Sequence, residues 1–395
     1  MSSIQYTSAL LQLEDVIINN IVDTPTTFTI SIEMPRKPHS CPNCHSMTDK
    51  VHDYRLQKIH ALPVSCKDTW LILRKRRYVC PHCGKHFYED IPFLARYQRM
   101  TNPFRFYVLS RLHEMVSLKH IAHELYTTAP TVGSIFKQFV KYPLPQLPEV
   151  IALDEFKGNA DSVKFQCILA DPKNKQILDI LPERSTDKLC AYFSQYSKEQ
   201  RAKVKYVVMD MSILFRSVIK ICFPKAKIIV DRFHVCRLAS WAMENVRKRV
   251  QKEFADGRRR YFKKSRWLLL KRRRNLNEEE QQQLAIMLNV SEQLRLGYRL
   301  KELFYEMMDS QGVEEAKARY KAWEQEVLSA NVAEFNKVLE TCRKWYKEIM
   351  ASFEVPYSNG FIEGCNNKTK LLKRMCYGLS DYETLRNRRL CVANA

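Results

Sequence analysis

An α/β domain on a mixed five-stranded sheet is the fold class predicted by this 395-residue sequence. A large all-helical insertion interrupts that domain, and two small modules precede it. Three observations predict this. Short apolar, β-branched runs near 150–153, 163–170, 176–181, 204–209 and 227–230 alternate with turns and helical stretches. From about 235 to 355 the pattern is helical, with few Gly or Pro. Two Cys-x-x-Cys pairs, Cys41/Cys44 and Cys80/Cys83, stand ahead of both.

Hydrophobic residues make up 45% of the chain, which excludes a disordered polyelectrolyte. Lys and Arg number 65 against 43 Asp and Glu, a formal charge of +22. An excess of that size favours a polyanionic partner, because neutralising phosphates releases condensed counterions. No apolar run approaches the roughly 20 residues of a membrane helix, and no basic-then-apolar leader opens the sequence. No membrane partner is therefore expected. Thirteen Cys without an export signal suit a reducing cytoplasm rather than a disulfide framework.

Residues 1–98 read as a zinc-binding domain. A short helical patch (Leu10, Leu11, Leu13) leads to Val16-Ile17-Ile18 and to the alternating strand Thr27–Ile32. Each Cys-x-x-Cys forms a knuckle with two thiolates facing one ion, and two knuckles complete a tetrahedral site for structural Zn2+. Strand-like sequence, including Thr69–Leu73, fills the long gap between the pairs, and Cys66, His45, His82 and His86 are spare ligand candidates. Residues 99–142 read as a helix-turn-helix domain. Phe104, Tyr107, Val108, Leu112 and Met115 recur at helical spacing after Pro103, and Ser117 caps a short helix carrying Ile121, Ala122 and Leu125. A brief turn then leads into Pro130–Val140. Thr131, Ser134, Lys137 and Gln138 are expected on the exposed face of that second helix, in position for the DNA major groove. Pro143, Pro145 and Pro148 make a stiff linker.

The third domain spans 149–395, with its helical insertion at about 240–355. Three strands in a meander, then helix (about 186–196), strand, helix (212–222) and strand describe a ribonuclease-H-like arrangement, in which the first and fourth strands are neighbours. Asp154 and Asp210 each end an apolar run on those two strands, so both are expected to point into the crevice at the strand ends. Glu363 opens a basic helical pattern, followed at helical spacing by Asn367, Lys370, Lys373 and Arg374, which suit DNA contact. Three carboxylates brought together could hold two divalent ions that clamp an in-line displacement at phosphorus. Asp171, in Asp171-Pro172-Lys173-Asn174, reads as turn chemistry. Asp231 either caps a helix or, with His234, supports the metal site from behind. Residues 247–274 hold fourteen Lys or Arg against Glu253 and Asp256, with Phe254, Tyr261, Phe262 and Trp267 interleaved. That run reads as a solvated face or a phosphate-contacting one. Trp241, Trp267, Trp323 and Trp345 are expected in the core, the alternative being that one of them stacks on an unpaired base.

Leu153-Asp154-Glu155-Phe156, Met209-Asp210-Met211, Asp231-Arg232-Phe233-His234 and the stretch Ser358–Lys368 through Tyr377-Gly378, together with the zinc pairs and the helix-turn-helix, closely resemble bacterial insertion-sequence transposases of the ISL3 type. The resemblance runs in order along essentially the whole chain. It implies a DDE transposase that uses Mg2+ or Mn2+, two ions per active site, held by Asp154, Asp210 and Glu363. It also implies a cytoplasmic, nucleoid-associated protein whose amino-terminal modules recognise the element's terminal inverted repeats. Its partners would be double-stranded DNA, both transposon ends and target, and it would act as a homodimer or larger assembly. The alternatives are a catalytically silent DNA-binding regulator, a ribonuclease-H-like nuclease or resolvase, and a basic RNA-binding protein.

Overall fold

The computed structural model describes residues 13, 15–254, 260, 262–263 and 266–393. Leu10 and Leu11 of the expected helical patch, Asp256 and Tyr261 lie outside the described residues. The chain divides into two compact units, one of residues 1–142, 372–379 and 383–395, the other of 143–371 and 380–382.

The first unit opens with β1 (Ile17–Asp23), β2 (Thr27–Glu33), β3 (His39–Ser40), β4 (Met47–Thr48), β5 (Val51–His60), β6 (Asp68–Val79) and β7 (His86–Tyr88). The main sheet runs β1-β2-β6-β5, with β7 also on β6, and β3 and β4 form a separate two-stranded ribbon. Alternation along β6 decides the packing. Thr69, Leu71 and Leu73 are buried, whereas Trp70 and Ile72 on the opposite face are half-exposed. Ile30, Ile32, Ile59, Leu71, Leu73 and Phe93 form the core.

Three helices follow: α1 (Asn102–Arg111), α2 (Leu118–Glu124) and α3 (Ala129–Phe139). Thr101, Ser117 and Thr128 cap them, each side chain accepting from a backbone N–H in the first turn. Phe104, Val108, Leu112, Ile121, Val132, Ile135 and Phe136 meet in the middle. Two expected core positions do not join them. Met115 falls beyond the end of α1, and Tyr107 faces outward. The space is closed instead by the last helix, α15 (Tyr382–Ala393), whose Cys391 enters this core. Its buried Arg388 donates to the carbonyls of Glu114 and Val116 at 2.8 and 2.7 Å.

In the second unit β8 (Val150–Ala160), β9 (Val163–Asp171) and β10 (Gln176–Leu181) form the antiparallel meander. After α4 (Thr186–Phe193) and α5 (Lys198–Ala202), β11 (Tyr206–Met209) pairs parallel to β8, and after α6 (Ile213–Cys222), β12 (Lys227–Val230) pairs parallel to β11. The sheet order is β10-β9-β8-β11-β12. Asp171 does serve its turn, its Oδ1 accepting from the N–H groups of Lys173 and Asn174. One correction concerns β8. It does not end near Asp154 but continues to Ala160 as the partner of β9, with a register shift between Lys157 and Ala160.

The helical block comprises α7 (Arg232–Gln251), α8 (Arg266–Leu270), α9 (Glu278–Asn289), α10 (Glu292–Met308), α11 (Val313–Ala330), α12 (Ala333–Lys344) and α13 (Tyr346–Ala351). Its core, including Phe304, Trp323, Phe335 and Trp345, is continuous with that of the sheet. Trp241 and Trp267 are not in it: they are 54% and 49% exposed. The basic run is also less free than its composition suggests. Arg249 pairs with Glu334, Lys271 with Glu280, and Arg272 and Arg274 with Asp309, while Phe254 and Phe262 pack inward against each other. α14 (Gly360–Cys376) completes the set. Among the described residues no helix is long and apolar enough to cross a membrane.

The β8 irregularity is held by Gln166, a fully buried side chain whose Nε2 donates to the carbonyls of Ala160, Val163 and Pro182. A Cβ on Gly158 would stand 1.7 Å from Gln166 Oε1 and 2.7 Å from its Cδ. Gly158→Ala must therefore evict Gln166 from its three acceptors. A loss of about 1–3 kcal/mol is expected by chemical denaturation. Gly364→Ala, in α14 with nothing near its added methyl, should instead be neutral or stabilising.

Candidate active site and DNA-binding modules

The two cysteine knuckles are built alike. Cys41 O accepts the His45 N–H and Cys80 O accepts the Gly84 N–H, both at 2.9 Å. Each chain then turns through positive φ, +60° at His45 and +70° at Gly84. Glycine takes that conformation without strain, while His45 holds it against a steric cost. The long gap between the pairs is the β5–β6 hairpin. Sγ of Cys41 lies 3.6 Å from Cys83, Sγ of Cys44 lies 3.5 Å from Cys80, and all four sulfurs fall within 4.8 Å of one another. Tetrahedral Zn–S bonds of about 2.3 Å imply an edge near 3.8 Å, so the four thiolates fit a structural zinc ion. Cys66, His45, His82 and His86 are outside this set.

In α3, Ser134, Lys137 and Gln138 are exposed, opposite the buried Val132, Ile135 and Phe136. Thr131 is only half-exposed, and its hydroxyl lies 2.9 Å from that of the capping Thr128.

The acidic site follows from strand register. In the parallel β8–β11 pair, Ala152 stands opposite Val208, where the ladder stops. Asp154 and Asp210 each come two residues later, at equal height just past the last paired residues. β11 has ended there, so Asp154 has β9 on one side and the end of β11 on the other. Burial pushes the Asp154 carboxyl up to about 6, and neighbouring Asp210 adds to the rise against the Glu155 N–H, which donates at 2.8 Å. Burial likewise raises Asp210, while His234 opposes the shift. Asp210 Oδ1 is buried and has no hydrogen-bond donor. That orphaned oxygen, beside a second carboxylate, fits a cation.

Asp231 lies at the start of α7 but makes no side-chain cap for it. Its Oδ2 is 3.0 Å from Nδ1 of His234, and its Oδ1 accepts the Asn359 N–H at 3.2 Å. The hydrogen bond to Asp231 raises the His234 pKa against burial, with Asp210 and Asp154 contributing. Asn366, buried on α14, donates from Nδ2 to Asp154 Oδ2 at 2.8 Å. Glu363, three residues earlier on α14, is exposed and has no protein partner among the described residues. The three carboxylates do not form a closed cage: among the described residues, only the four cysteines bring three or more candidate ligand atoms within 4.8 Å of one another. Asn367, Lys370 and Arg374 are exposed on α14, and Lys373 is half-buried, its pKa lowered by desolvation. Sequence reasoning missed the Asn366, Asn359 and Glu155–Arg184 contacts (the last 2.6 Å) as parts of the site. In the sequence Asn359 and Asn366 are only letters of a motif, since nothing local indicates a partner more than a hundred residues away.

Two small modules thus precede a mixed-sheet domain that sets Asp154 and Asp210 at equal height. Residues 151–389 match a family model described as a transposase, of the ISL3 type. Residues 37–83 match the zinc-finger of transposase IS204/IS1001/IS1096/IS1165, and 89–140 the helix-turn-helix domain of transposase family ISL3. The chain belongs to the ISL3 transposase family. It is also similar to the transposase for insertion sequence element IS1001 of Bordetella parapertussis, with 27% identity over 371 residues, covering 91% of this chain and 90% of that one.

Two tests follow from the geometry. Cys44→Ser should lower bound zinc, read by elemental analysis, and broaden or lower the first unit's melting transition. For Asp154, the folded state prefers the protonated acid. Its contribution is therefore greatest below the unfolded carboxylate range and is lost as pH rises through about 6. Asp154→Asn should stabilise the fold at pH 7.5 without added divalent metal by about 1–3 kcal/mol, read by chemical denaturation. That gain should shrink at pH 5.

Proposed function

We propose that this chain is an active DDE transposase. It would bind the terminal inverted repeats of an insertion sequence, cleave a phosphodiester at each end, and join the freed 3′ hydroxyls to target DNA. The observation that carries this reading is the pairing of Asp154 and Asp210 at equal height beyond the β8–β11 ladder, with α14 tied to Asp154 through Asn366. The sheet order β10-β9-β8-β11-β12, antiparallel then parallel, supports a ribonuclease-H-like catalytic domain. Residues 149–395 are read as that domain, its helical insertion at about 240–355 entered after β12 and left before α14.

Asp154, Asp210 and Glu363 would hold magnesium or manganese, two ions per site. When bound, these supply Lewis-acid activation of the phosphate and of the attacking oxygen. The protein's own residues do the positioning. Asn366 fixes the Asp154 carboxylate, and the Asp154–Asp210 pair presents an unneutralised oxygen toward the crevice. Asp231 orients His234 beside both acids, and its other oxygen anchors the segment leading into Glu363. Hydrolysis and strand transfer both displace an alkoxide at phosphorus, so one site serves for both.

Thr131, Ser134, Lys137 and Gln138 of α3 are assigned to the major groove of the repeat. Asn367, Lys370, Lys373 and Arg374 are assigned to the DNA backbone near the cleaved bond. Synapsis of two ends calls for a dimer or larger assembly on double-stranded DNA.

With magnesium and a labelled terminal-repeat duplex, the wild-type protein should release a 3′ hydroxyl end and join it to a plasmid. Asp154→Ala, Asp210→Ala and Glu363→Gln should bind the duplex but cleave at background. Binding without cleavage by the wild type would leave a regulator, and cleavage without strand transfer a nuclease or resolvase. Asn366→Ala should bind normally and cleave about 10–100-fold more slowly, because it frees Asp154 without removing a carboxylate.

A further inference from the structure

β8 and β9 run past the acidic site, and nothing in the reading above accounts for the overshoot. Asp154 stands opposite Ile168, yet the pairing continues as far as Ala160 opposite Val163. Asp161 and Ser162, both at positive φ (49° and 64°), close the hairpin there. At about 3.3 Å per residue, Lys157 lies roughly 10 Å beyond Asp154 along the strand. The hairpin is therefore an arm that starts at the acids and leads away from them.

The arm is fixed at three points. At its base Glu155 accepts from Arg184 at 2.6 Å, and the Arg184 guanidinium covers the Phe165 ring, 4.3 Å from its centroid. In the middle Gln166 ties the irregular stretch to three carbonyls. At the tip the Asp161 N–H donates to the Ser380 carbonyl at 2.8 Å. Burial raises the thiol of Cys167, the ladder partner of Glu155, and Glu155, Asp154, Arg184 and Asp210 all act on it. The base of the arm and the acids thus share one end of the sheet.

A strand held this firmly has little entropy to lose when it binds. Lys157 and Lys164 are exposed on it, and neither is ion-paired among the described residues. Lys164 Nζ lies 5.3 Å from the Phe165 centroid, so the ring carries one cation from each strand connection. Asp161, the acid between the two lysines in sequence, is taken up by the turn. The carboxylates repel a phosphate backbone, and a DNA strand that approaches them needs cations close by to offset that repulsion.

We propose that the β8–β9 arm holds the DNA backbone beside the cleaved phosphodiester, Lys157 and Lys164 contacting phosphates within about three nucleotides of it. The range follows from the strand: roughly 10 Å of arm spans about three nucleotides at 3.4 Å each. The overshoot of β8 then has a purpose, since a strand that stopped at Asp154 would carry neither lysine.

The inference rests on the transposase reading for the identity of the DNA and not on cleavage, so binding is measured without divalent metal. Full-length protein is titrated into a labelled terminal-repeat duplex over a range of salt. Lys157→Ala and Lys164→Ala should each weaken binding about 5-fold near 0.15 M salt and lower the log–log salt slope by about 0.9. Lys157→Arg and Lys164→Arg should keep the wild-type slope. Slopes that stay at the wild-type value in both alanine variants would overturn the arm, as would wild-type protein that fails to bind the duplex.

Uncharged methylphosphonate, placed one position at a time around the cleaved bond, locates the contact. At one or two positions within about three nucleotides of the bond it should cost the wild type about 5-fold and the doubly substituted alanine protein nothing further. Equal losses in both proteins at every position refute the contact. A separate cleavage assay with magnesium keeps the two readings apart. Position-specific losses with no cleavage would sink the catalytic reading and leave the arm, whereas cleavage with unchanged slopes would do the reverse.

Discussion

Two carboxylates held at one height by the register of a parallel strand pair are the constraint on which the second unit turns. Strand pairing fixes the backbone, so Asp154 and Asp210 cannot relieve their repulsion by sliding apart. Burial removes the water that would screen it. The protein compensates only in part. Asn366 and the Glu155 N–H satisfy Asp154, His234 offsets some charge, and Asp210 keeps an oxygen with no donor. The residual strain explains two properties together. It disfavours the doubly ionised pair, and it leaves one oxygen open to a cation.

This negative site lies in a protein of net charge +22, and the contrast shows how little total charge says about location. Many of the cations are spent internally. In the helical block they bridge neighbouring helices through Glu334, Glu280 and Asp309. In the first unit Arg388 and Arg76 are buried, Arg76 between Glu33 and Glu89. What marks a basic residue as available to DNA is the absence of an acid beside it. That is a property of packing, and no count along the sequence contains it.

The same distinction separates what was legible from what was not. The meander and the two parallel strands were readable because buried strands are short β-branched runs bounded by turn residues. The zinc ligands were readable because four thiolates at paired spacing have few other uses. Asp154 reads from the sequence as the end of its strand because a charge follows an apolar run, yet only the β11 ladder ends there and β8 continues to Ala160. Trp241 was expected inside because tryptophan usually is, and its four-residue step to Arg237 carried no signal of exposure. α15 was illegible as a core element, since a segment with Arg386, Arg388 and Arg389 does not look apolar. Arg388 can be buried because carbonyls left open after α1 accept its guanidinium.

Asp231 shows how a large insertion can coexist with a demanding site. Its two oxygens hold His234, at the first turn of α7, and the Asn359 N–H, 128 residues further on, where the chain turns back toward Glu363. The helical excursion therefore leaves from and returns to one buried carboxylate. Closing a chain loop costs entropy only logarithmically in its length, about 0.6 kcal/mol for each doubling. Once both ends are pinned to Asp231, the size of the block between them has little thermodynamic bearing on where Asp210 and α14 lie. The block is then free to be shaped by its own core of Phe304, Trp323 and Phe335. Its first helix starts at that carboxylate, so the block enters the fold where Asp231 and His234 pair.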